Sequence, residues 1–402
     1  TKKTAGKKAK EGSDEKKAVE TVPNGNYLWI SLFATSLKPQ GRAALVMANS
    51  ASDARHSEAE IRQTLIEQNL IYGMLTLPSN LFYTVTLPAT LWFFDKGKAA
   101  DEQGSRVLFI DARNIFTQID RAHRELSDEQ IQNIAIIPRL HKGRRAEFVA
   151  LVDRYFQQGL AQLQDVAQHI PALSERLLAL LAEEAGESDP AAQEAGQAAV
   201  AGLQAQWAQL PALAAAQATH DQGHGSSEDL DTRNTAQQAL RQRFTPFFHE
   251  LHASLKVLDK AIREMDKRKA EAAKAAGKRM AGNRQARGVK DAVQALHDEV
   301  KLAERFYTHI AWLQERFPQA KYNDVTGLCK LASRAEMQEQ DWSLNPGRYV
   351  GVVIEEDGKT QEEFLEQLQT QLDELTSLRE AAETVEASVF ANLQLLLNEA
   401  PV

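Results

Sequence analysis

The stretch that decides the fold lies between residues 41 and 94. It opens with Gly41-Arg42-Ala43-Ala44-Leu45-Val46-Met47-Ala48-Asn49 and closes with Leu87-Pro88-Ala89-Thr90-Leu91-Trp92-Phe93-Phe94. Ala43 to Ala48 is an unbroken apolar run, the composition of a strand covered on both faces. Ser57-Glu58-Ala59-Glu60 reads as a capping box, with the Ser57 hydroxyl offered to the amide of Glu60. Ile61, Leu65 and Ile66 carry the helix that follows. Leu70 to Leu77, Ala89 to Phe94 and Arg106 to Ile110 are three further strand candidates, the first two parted by a loop between Pro78 and Pro88. Strand, helix, strand, strand is the pattern of one half of an α/β sheet. The remaining strands are expected from before Thr1 or from another chain, since open sheets of this kind usually hold about five or more.

Upstream, Tyr27, Leu28, Ile30, Leu32, Phe33 and Leu37 fall mostly on one helical face, and Lys38-Pro39-Gln40-Gly41 supplies the turn that ends that helix. Residues 1–20 hold almost no apolar side chains and read as a flexible lysine-rich linker. The chain begins at Thr1 and not Met, which points to an upstream part removed. Across all 402 residues, 43% hydrophobic and 25% charged content fits a globular protein and excludes collagenous or wholly disordered classes. No apolar run reaches the roughly 18 residues of a membrane span, and no signal segment opens the chain, so a cytoplasmic location is expected. Cys329 is the single cysteine, which excludes an intrachain disulfide and a multi-cysteine zinc site.

Downstream of Arg145 the chain turns helical, with helices expected near 147–169, 172–185 and 191–218, broken by Pro171 and by the loop Asp221 to Ser227. Phe248, Leu251, Leu255, Leu258, Ile262 and Met265 follow heptad spacing; Val293, Leu296, Val300, Ala303, Tyr307 and Ile310 repeat it. Each seam must find a partner, most simply the other, which gives an antiparallel coiled-coil hairpin. Between Lys256 and Lys290, twelve Lys and Arg face four Asp and Glu, and Lys267, Arg268, Lys269, Lys278, Arg279, Arg284 and Arg287 cluster at the tip. Such a tip can track a phosphate backbone by releasing counterions, or simply be a solvated helix face. A last helix, about 360–398, sets Leu365, Leu368, Leu372, Leu375, Val389, Leu393 and Leu396 on a heptad frame interrupted by Arg379 and Glu386. It suits docking onto another bundle better than a self-sufficient core.

No Gly-x-Gly-x-x-Gly or Phe-x-Gly-x-Gly loop follows a strand, and no Gly-x-x-x-x-Gly-Lys-Ser/Thr is present. Asn345-Pro346-Gly347-Arg348-Tyr349 is superficially similar to an Asn-Pro-Pro-Tyr/Phe catalytic tetrapeptide but lacks the second proline and reads as a turn. His249 and His252, and His220 with His224, have spacings open to metal, yet no third ligand is evident, so no metal is expected. Leu81-Phe82-Tyr83-Thr84 lies in a loop between strands, where α/β enzymes place ligand-contacting residues. Its rings could stack on a base extruded from DNA, or be buried in the core.

Together these segments resemble the modification-subunit family of type I restriction-modification systems. The resemblance is carried by Asn24 to Ile30, Gly41 to Asn49, Ser57 to Arg62, Leu77 to Thr84, Leu87 to Phe93 and Val107 to Arg113. A distant block joins them: Asp324 to Lys330 with Leu344 to Gly351. It covers roughly 24–125 and 322–351; the helical region between is long for the family. It implies a partial Rossmann-like methyltransferase sheet and S-adenosylmethionine-dependent methylation of adenine N6 in DNA. The partners implied are a specificity subunit, a second modification subunit and a restriction subunit. Both the family's cofactor loop and its Asn-Pro-Pro-Phe/Tyr loop precede the Asn26-Tyr27-Leu28-Trp29-Ile30 helix, so the chain is expected to be the C-terminal portion and inactive alone. The implied base pocket falls on Phe82, Tyr83 and Asn49; docking of the specificity subunit falls on Pro346, Gly347, Arg348 and Tyr349 and on Leu365, Leu368 and Leu372. The expected division is a linker over 1–20, half of a methyltransferase α/β domain over 21–125, a helical region over 126–320, a docking segment over 321–355 and a helix over 356–402. The alternative is a non-catalytic helical DNA- or protein-interaction module with a degenerate sheet domain.

Overall fold

All four apolar runs form strands: β1 (Arg42–Ala48), β2 (Ile71–Thr76), β3 (Ala89–Asp95) and β4 (Arg106–Asp111). The computed structural model describes residues 24–100, 105–183, 190–223, 227–275, 284–353 and 361–399. A small hairpin, β5 (Thr117–Gln118) with β6 (Arg124–Glu125), follows, and β7 (Cys329–Ser333), supplied from within this chain and not from before Thr1 or another chain as expected, adds a fifth strand in the order β1-β3-β2-β4-β7. β3 is antiparallel to both β1 and β2, β2 is parallel to β4, and β7 is antiparallel to β4. Thus β1, β2 and β4 point the same way, and their carboxyl ends share one edge of a mixed sheet.

One face of the sheet buries Met47, Ile71, Met74, Trp92, Phe94, Val107 and Phe109 against α1 (Gly25–Ser36), α2 (Ser57–Glu67) and the segment 337–350. On the other face Leu75, Leu77, Leu108 and Ile110 merge with a helical core that begins at α3 (Asp128–His141). Buried runs on both faces are what the continuous apolar composition of these strands required. The apolar residues of α1 depart from the one-face expectation. Tyr27, Ile30 and Ala34 are buried, while Leu28, Trp29, Leu32 and Phe33 are exposed.

The capping box expected at Ser57 does not form. His56 precedes the helix at φ 63°, and the Ser57 hydroxyl donates to Glu58 Oε2 at 3.1 Å. Reciprocal boxes occur instead at Ser127 with Gln130, starting α3, and at Ser333 with Glu336, starting α9 (Arg334–Glu339). Lys330 and the Ser333 cap hold the Glu336 carboxyl at about 2.

The helical region consists of α4 (Arg145–Glu183), α5 (Pro190–Trp207), α6 (Leu210–Gly223), α7 (Leu230–Ala275) and α8 (Arg284–Arg316). Pro171 does not break α4, and the helix expected over 191–218 is two helices. An internal proline removes a backbone bond at a cost of about 3 kcal/mol. The long apolar face of α4, with Phe148, Val152, Phe156, Leu163, Val166, Ile170, Leu177 and Leu181 all buried, offsets it. Every residue of the two heptad seams is buried. Their partners differ from the simplest expectation: α8 packs mainly along α4 and α7 mainly along α5, with a smaller α7–α8 contact. Of the expected tip, Lys267 to Arg287, residues 276–283 lie outside the described residues.

Residues 352–402 form a separate unit. Within it α10 (Gln361–Glu399) presents Leu365, Leu368, Leu372, Leu375, Val389 and Leu393 as exposed side chains. Among the described residues no helix is long and apolar enough to cross a membrane.

Candidate functional site

The shared carboxyl edge of β1, β2 and β4 gathers the chemically notable loops, as expected where strands deliver side chains to an α/β crevice. Asn49 follows β1. Its Oδ1 accepts from Thr90 Oγ1 at 2.8 Å and its carbonyl from Ser52 Oγ at 2.6 Å, so the half-buried amide is held at the start of β3. After β2, Leu77 donates to Ala89 O at 2.8 Å and closes the base of the 78–88 loop. Inside it, Asn80 takes φ 59° and Val85 donates to Phe82 O at 3.1 Å, so the tip is a tight turn. That turn leaves Phe82 41% and Tyr83 92% exposed. Leaving a large apolar side chain in water forgoes about 1.5–3 kcal/mol of burial, so these rings are not part of the core and stand where a ligand could reach them.

The β5–β6 hairpin buttresses this loop. Arg124 donates from its backbone to Asn80 O at 3.0 Å and from Nη1 to Ser79 Oγ at 3.0 Å, while its guanidinium lies 3.9 Å from the centre of the Phe116 ring. The His123 ring sits 5.4 Å from that of Tyr83. Neither Arg124 nor His123 was singled out by the sequence. The available signal was only their position, shortly after a strand ending at the same edge.

After β4, Arg113 clasps Asp111 through Nε at 2.9 Å to both oxygens and Nη2 at 2.5 Å to one. The bond from Asp111 raises the Arg113 pKa further. Against Arg113 lies the Asn345 to Tyr349 turn, where a Cβ on Gly347 would come within 2.9 Å of Nη2. Glycine is the residue that permits this approach. Pro346 is buried, and Tyr349 is buried with its ring stacked 4.0 Å from Phe109 and its hydroxyl donating to Ser343 O at 2.5 Å. Arg348 is the exposed member, reaching Asp53 at 3.1 Å. Burial alone would raise the Asp53 carboxyl, but bonds with Ser343, Arg348 and Asn345 together hold it below its ordinary value. This turn therefore ties the distant C-terminal block onto the 3₁₀ turn Asn49–Asp53 after β1.

A nucleoside cofactor needs a glycine-rich turn at a strand end and an acid available to its ribose. The turns after β1, β2 and β4 carry no glycine, and Asp53 and Asp111 are each engaged by an arginine. The described residues do not fit such a group.

Of the basic positions, Lys267 and Arg268 are exposed near the end of α7, Lys269 lies on α7, and Arg284 and Arg287 lie on the first turns of α8. Lys278 and Arg279, like His224, are outside the described residues. Between α7 and α8 a polar groove of about 550 Å³ is crossed by Lys290–Asp266 at 2.9 Å and His297–Asp259 at 3.0 Å, which neutralises part of the stripe. His249 pairs with Glu250 and His252 with Glu304, and His220 lies 3.5 Å from Asp153. Among the described residues no three His, Cys, Asp or Glu side chains converge as a metal set.

Comparison with known proteins matches residues 3–154 to the N-6 DNA Methylase family. The type I restriction enzyme MjaIX methylase subunit of Methanocaldococcus jannaschii is 45% identical over 120 residues, covering 29% of this chain and 21% of that protein. The HindI methylase subunit of Haemophilus influenzae is 37% identical over 125 residues, 30% of this chain and 28% of its own length. A solved type I restriction-modification methyltransferase subunit from Streptococcus thermophilus is 23% identical over 29% of this chain and 24% of that one, with a TM-score of 0.27. The chain thus spans between a fifth and under a third of the length of these two relatives.

Proposed function

We propose, from the match of residues 3–154 to the N-6 DNA Methylase family, that the chain is the C-terminal part of a type I DNA-modification subunit. Its reaction is S-adenosylmethionine-dependent methylation of adenine N6, carried out once a complementary part and a specificity subunit are in place. The observation that carries this reading is the Phe82–Tyr83 pair, standing in water on a braced loop at the carboxyl edge, within the family-matched segment. Stacking of an extruded base between such rings offsets part of the unstacking cost, a few kcal/mol, and orients the ring edge. Asn49, fixed by Thr90, supplies a polar group at the same edge. These residues bind and orient the base; no catalytic residue is assigned to this chain. S-adenosylmethionine, which supplies the methyl group, is held on this reading by the complementary part.

Two features support completion by another part. Among the described residues β1 is paired only with β3, which leaves its other edge open, and the neighbouring α1 exposes Leu28, Trp29, Leu32 and Phe33. An open edge flanked by apolar surface is normally covered. The partners on this reading are DNA, a specificity subunit, a second modification subunit and a restriction subunit. Arg348, the exposed member of its turn, is a docking point for the specificity subunit; Leu365, Leu368 and Leu372, in the separate unit of residues 352–402, present a docking ridge of their own; and Lys267, Arg268, Lys269, Lys278, Arg279, Arg284 and Arg287 hold phosphates.

The test mixes the chain with a specificity subunit and a polypeptide bearing the Phe-x-Gly-x-Gly and Asn-Pro-Pro-Phe/Tyr loops. Labelled methyl should appear on adenine in duplex DNA with all three, and none with the chain alone. No incorporation by an assembly shown to be folded and complete would overturn the proposal.

A further inference from the structure

Beside the aromatic loop, the β5–β6 hairpin carries features that bracing alone does not require. Its turn is internally fixed: Asp120 Oδ1 accepts from the backbone of Ala122 at 2.7 Å and of His123 at 2.9 Å. The His123 ring nitrogen lies 2.7 Å from Asp120 Oδ2, and this bond, with that from Ala122, holds the Asp120 carboxyl below its ordinary range. Gln118 Nε2 donates to the Asp120 carbonyl, and Ile119 donates to His123 O at 3.1 Å. The rigid turn nevertheless presents Ile119, 55% exposed, and the exposed Arg121 to solvent. On the side of the loop, His123 meets Tyr83 and Arg124 meets Ser79 and Asn80. An apolar tip with a cation two residues away, locked to the loop that carries the exposed rings through Tyr83, Ser79 and Asn80, matches duplex DNA better than a protein groove. Apolar side chains that enter an opened base step are paired with cations that hold the flanking backbone.

We infer that the 117–125 hairpin is a wedge and clamp for duplex DNA, with Ile119 occupying the gap left by the extruded base and Arg121 holding an adjacent phosphate. This rests on the reading of Phe82 and Tyr83 as the base platform, and adds positioning residues that touch the DNA outside the reacting base.

The experiment measures binding of the full chain to two fluorescent duplexes of one sequence, one intact and one with a central abasic site, over a range of salt. A wedge prefers the preformed gap, so the chain should bind the abasic duplex on the order of tenfold more tightly. Ile119→Ser should erase that preference and leave affinity for the intact duplex nearly unchanged. Arg121→Glu should weaken both and reduce the salt slope by about one. Both positions are exposed, and circular dichroism of each variant verifies its fold. Leu302→Ser, at an exposed leucine on α8, is the control and should change neither. Equal binding of the two duplexes, or a preference that survives Ile119→Ser, would overturn the wedge. So would variants that bind DNA normally but lose the specificity subunit on gel filtration, since the hairpin would then be a protein-docking surface. The methyl-transfer assay of the assembled subunits decides the base-platform reading separately, because it is read with the wild-type hairpin.

Discussion

Arg62 is the most consequential polar residue of the sheet's α1 side: its side chain is buried, donating from Nη1 to Tyr27 Oη at 2.6 Å and from Nε to Trp342 O at 3.0 Å. Tyr27 passes the chain on to Ala51 O at 2.5 Å, and burial raises its pKa so that it stays a donor. One guanidinium thereby joins α1, the turn after β1, α2 and the C-terminal block. Arg62→Ala leaves a buried hydroxyl and a carbonyl short of a donor, at about 1–3 kcal/mol for such losses, and should appear as a lower urea midpoint. A second residue sets a pH dependence. His309 Nδ1 faces Asn133 Nδ2 at 3.1 Å, and Tyr155 donates to Asn133 Oδ1 at 3.1 Å, which turns the amide so that His309 must accept. Burial lowers the His309 pKa from 6.5, consistent with a ring held neutral. The unfolded chain therefore takes up the proton first. This contribution is intact above pH 6.5 and is lost as pH falls from there through the lower folded value. His309→Gln should flatten that part of the urea midpoint against pH, and an unchanged slope would remove His309 as the cause.

At the scale of elements, two helix glycines should respond oppositely to alanine. Gly159 on α4 would set a Cβ 2.8 Å from Cε2 of the buried Tyr307 ring and 3.3 Å from Phe306 Cβ. The favourable helix propensity of alanine, about 1 kcal/mol, is then outweighed by overpacking of about 1–3 kcal/mol, and Gly159→Ala should lower the thermal midpoint. Gly288 on α8 meets nothing nearer than Leu180 at 3.6 Å, so Gly288→Ala should raise it. The contrast also shows what could be read from the chain alone. β1 to β4 were legible because each is an unbroken apolar run between turn residues, and the α7 and α8 seams because heptad spacing persists over several turns. β7 was not: Cys329-Lys330-Leu331-Ala332-Ser333 is short and half polar, and it becomes a strand only because the exposed edge of β4 accepts it. The same limit applies to Ser57, where a local capping signal lost to a φ of 63° at His56, and to Pro171, where packing along α8 carries the helix through. The aromatic loop was legible as a loop with rings; its brace was not, since the pairing of Arg124 with Ser79 spans 45 positions in the chain.

In the unit that carries the sheet, α1 and the edge of β1 away from β3 are uncovered among the described residues. Trp29, 58% exposed, stands with Leu28, Leu32 and Phe33 on the outer side of a helix whose inner side is fixed by Tyr27 and Ile30. Val46 is exposed on the adjacent strand. Solvation disfavours such a surface, and the edge of β1 that faces away from β3, without a strand partner among the described residues, offers a row of backbone donors and acceptors beside it. If a complementary α/β part covers it, charge placed there must block completion without disturbing the carboxyl edge. The double substitution Trp29→Glu with Leu32→Glu should leave the fold intact, since neither side chain is buried. In the three-component assay it should cut methyl transfer by at least about tenfold, the loss expected when a central interface side chain is worth about 2 kcal/mol. Affinity of the chain for the abasic duplex should not change, because the wedge lies at the carboxyl edge and not on α1. Full methyl transfer by the doubly charged variant would show that the complementary part binds elsewhere, and the open edge of β1 would then need another occupant.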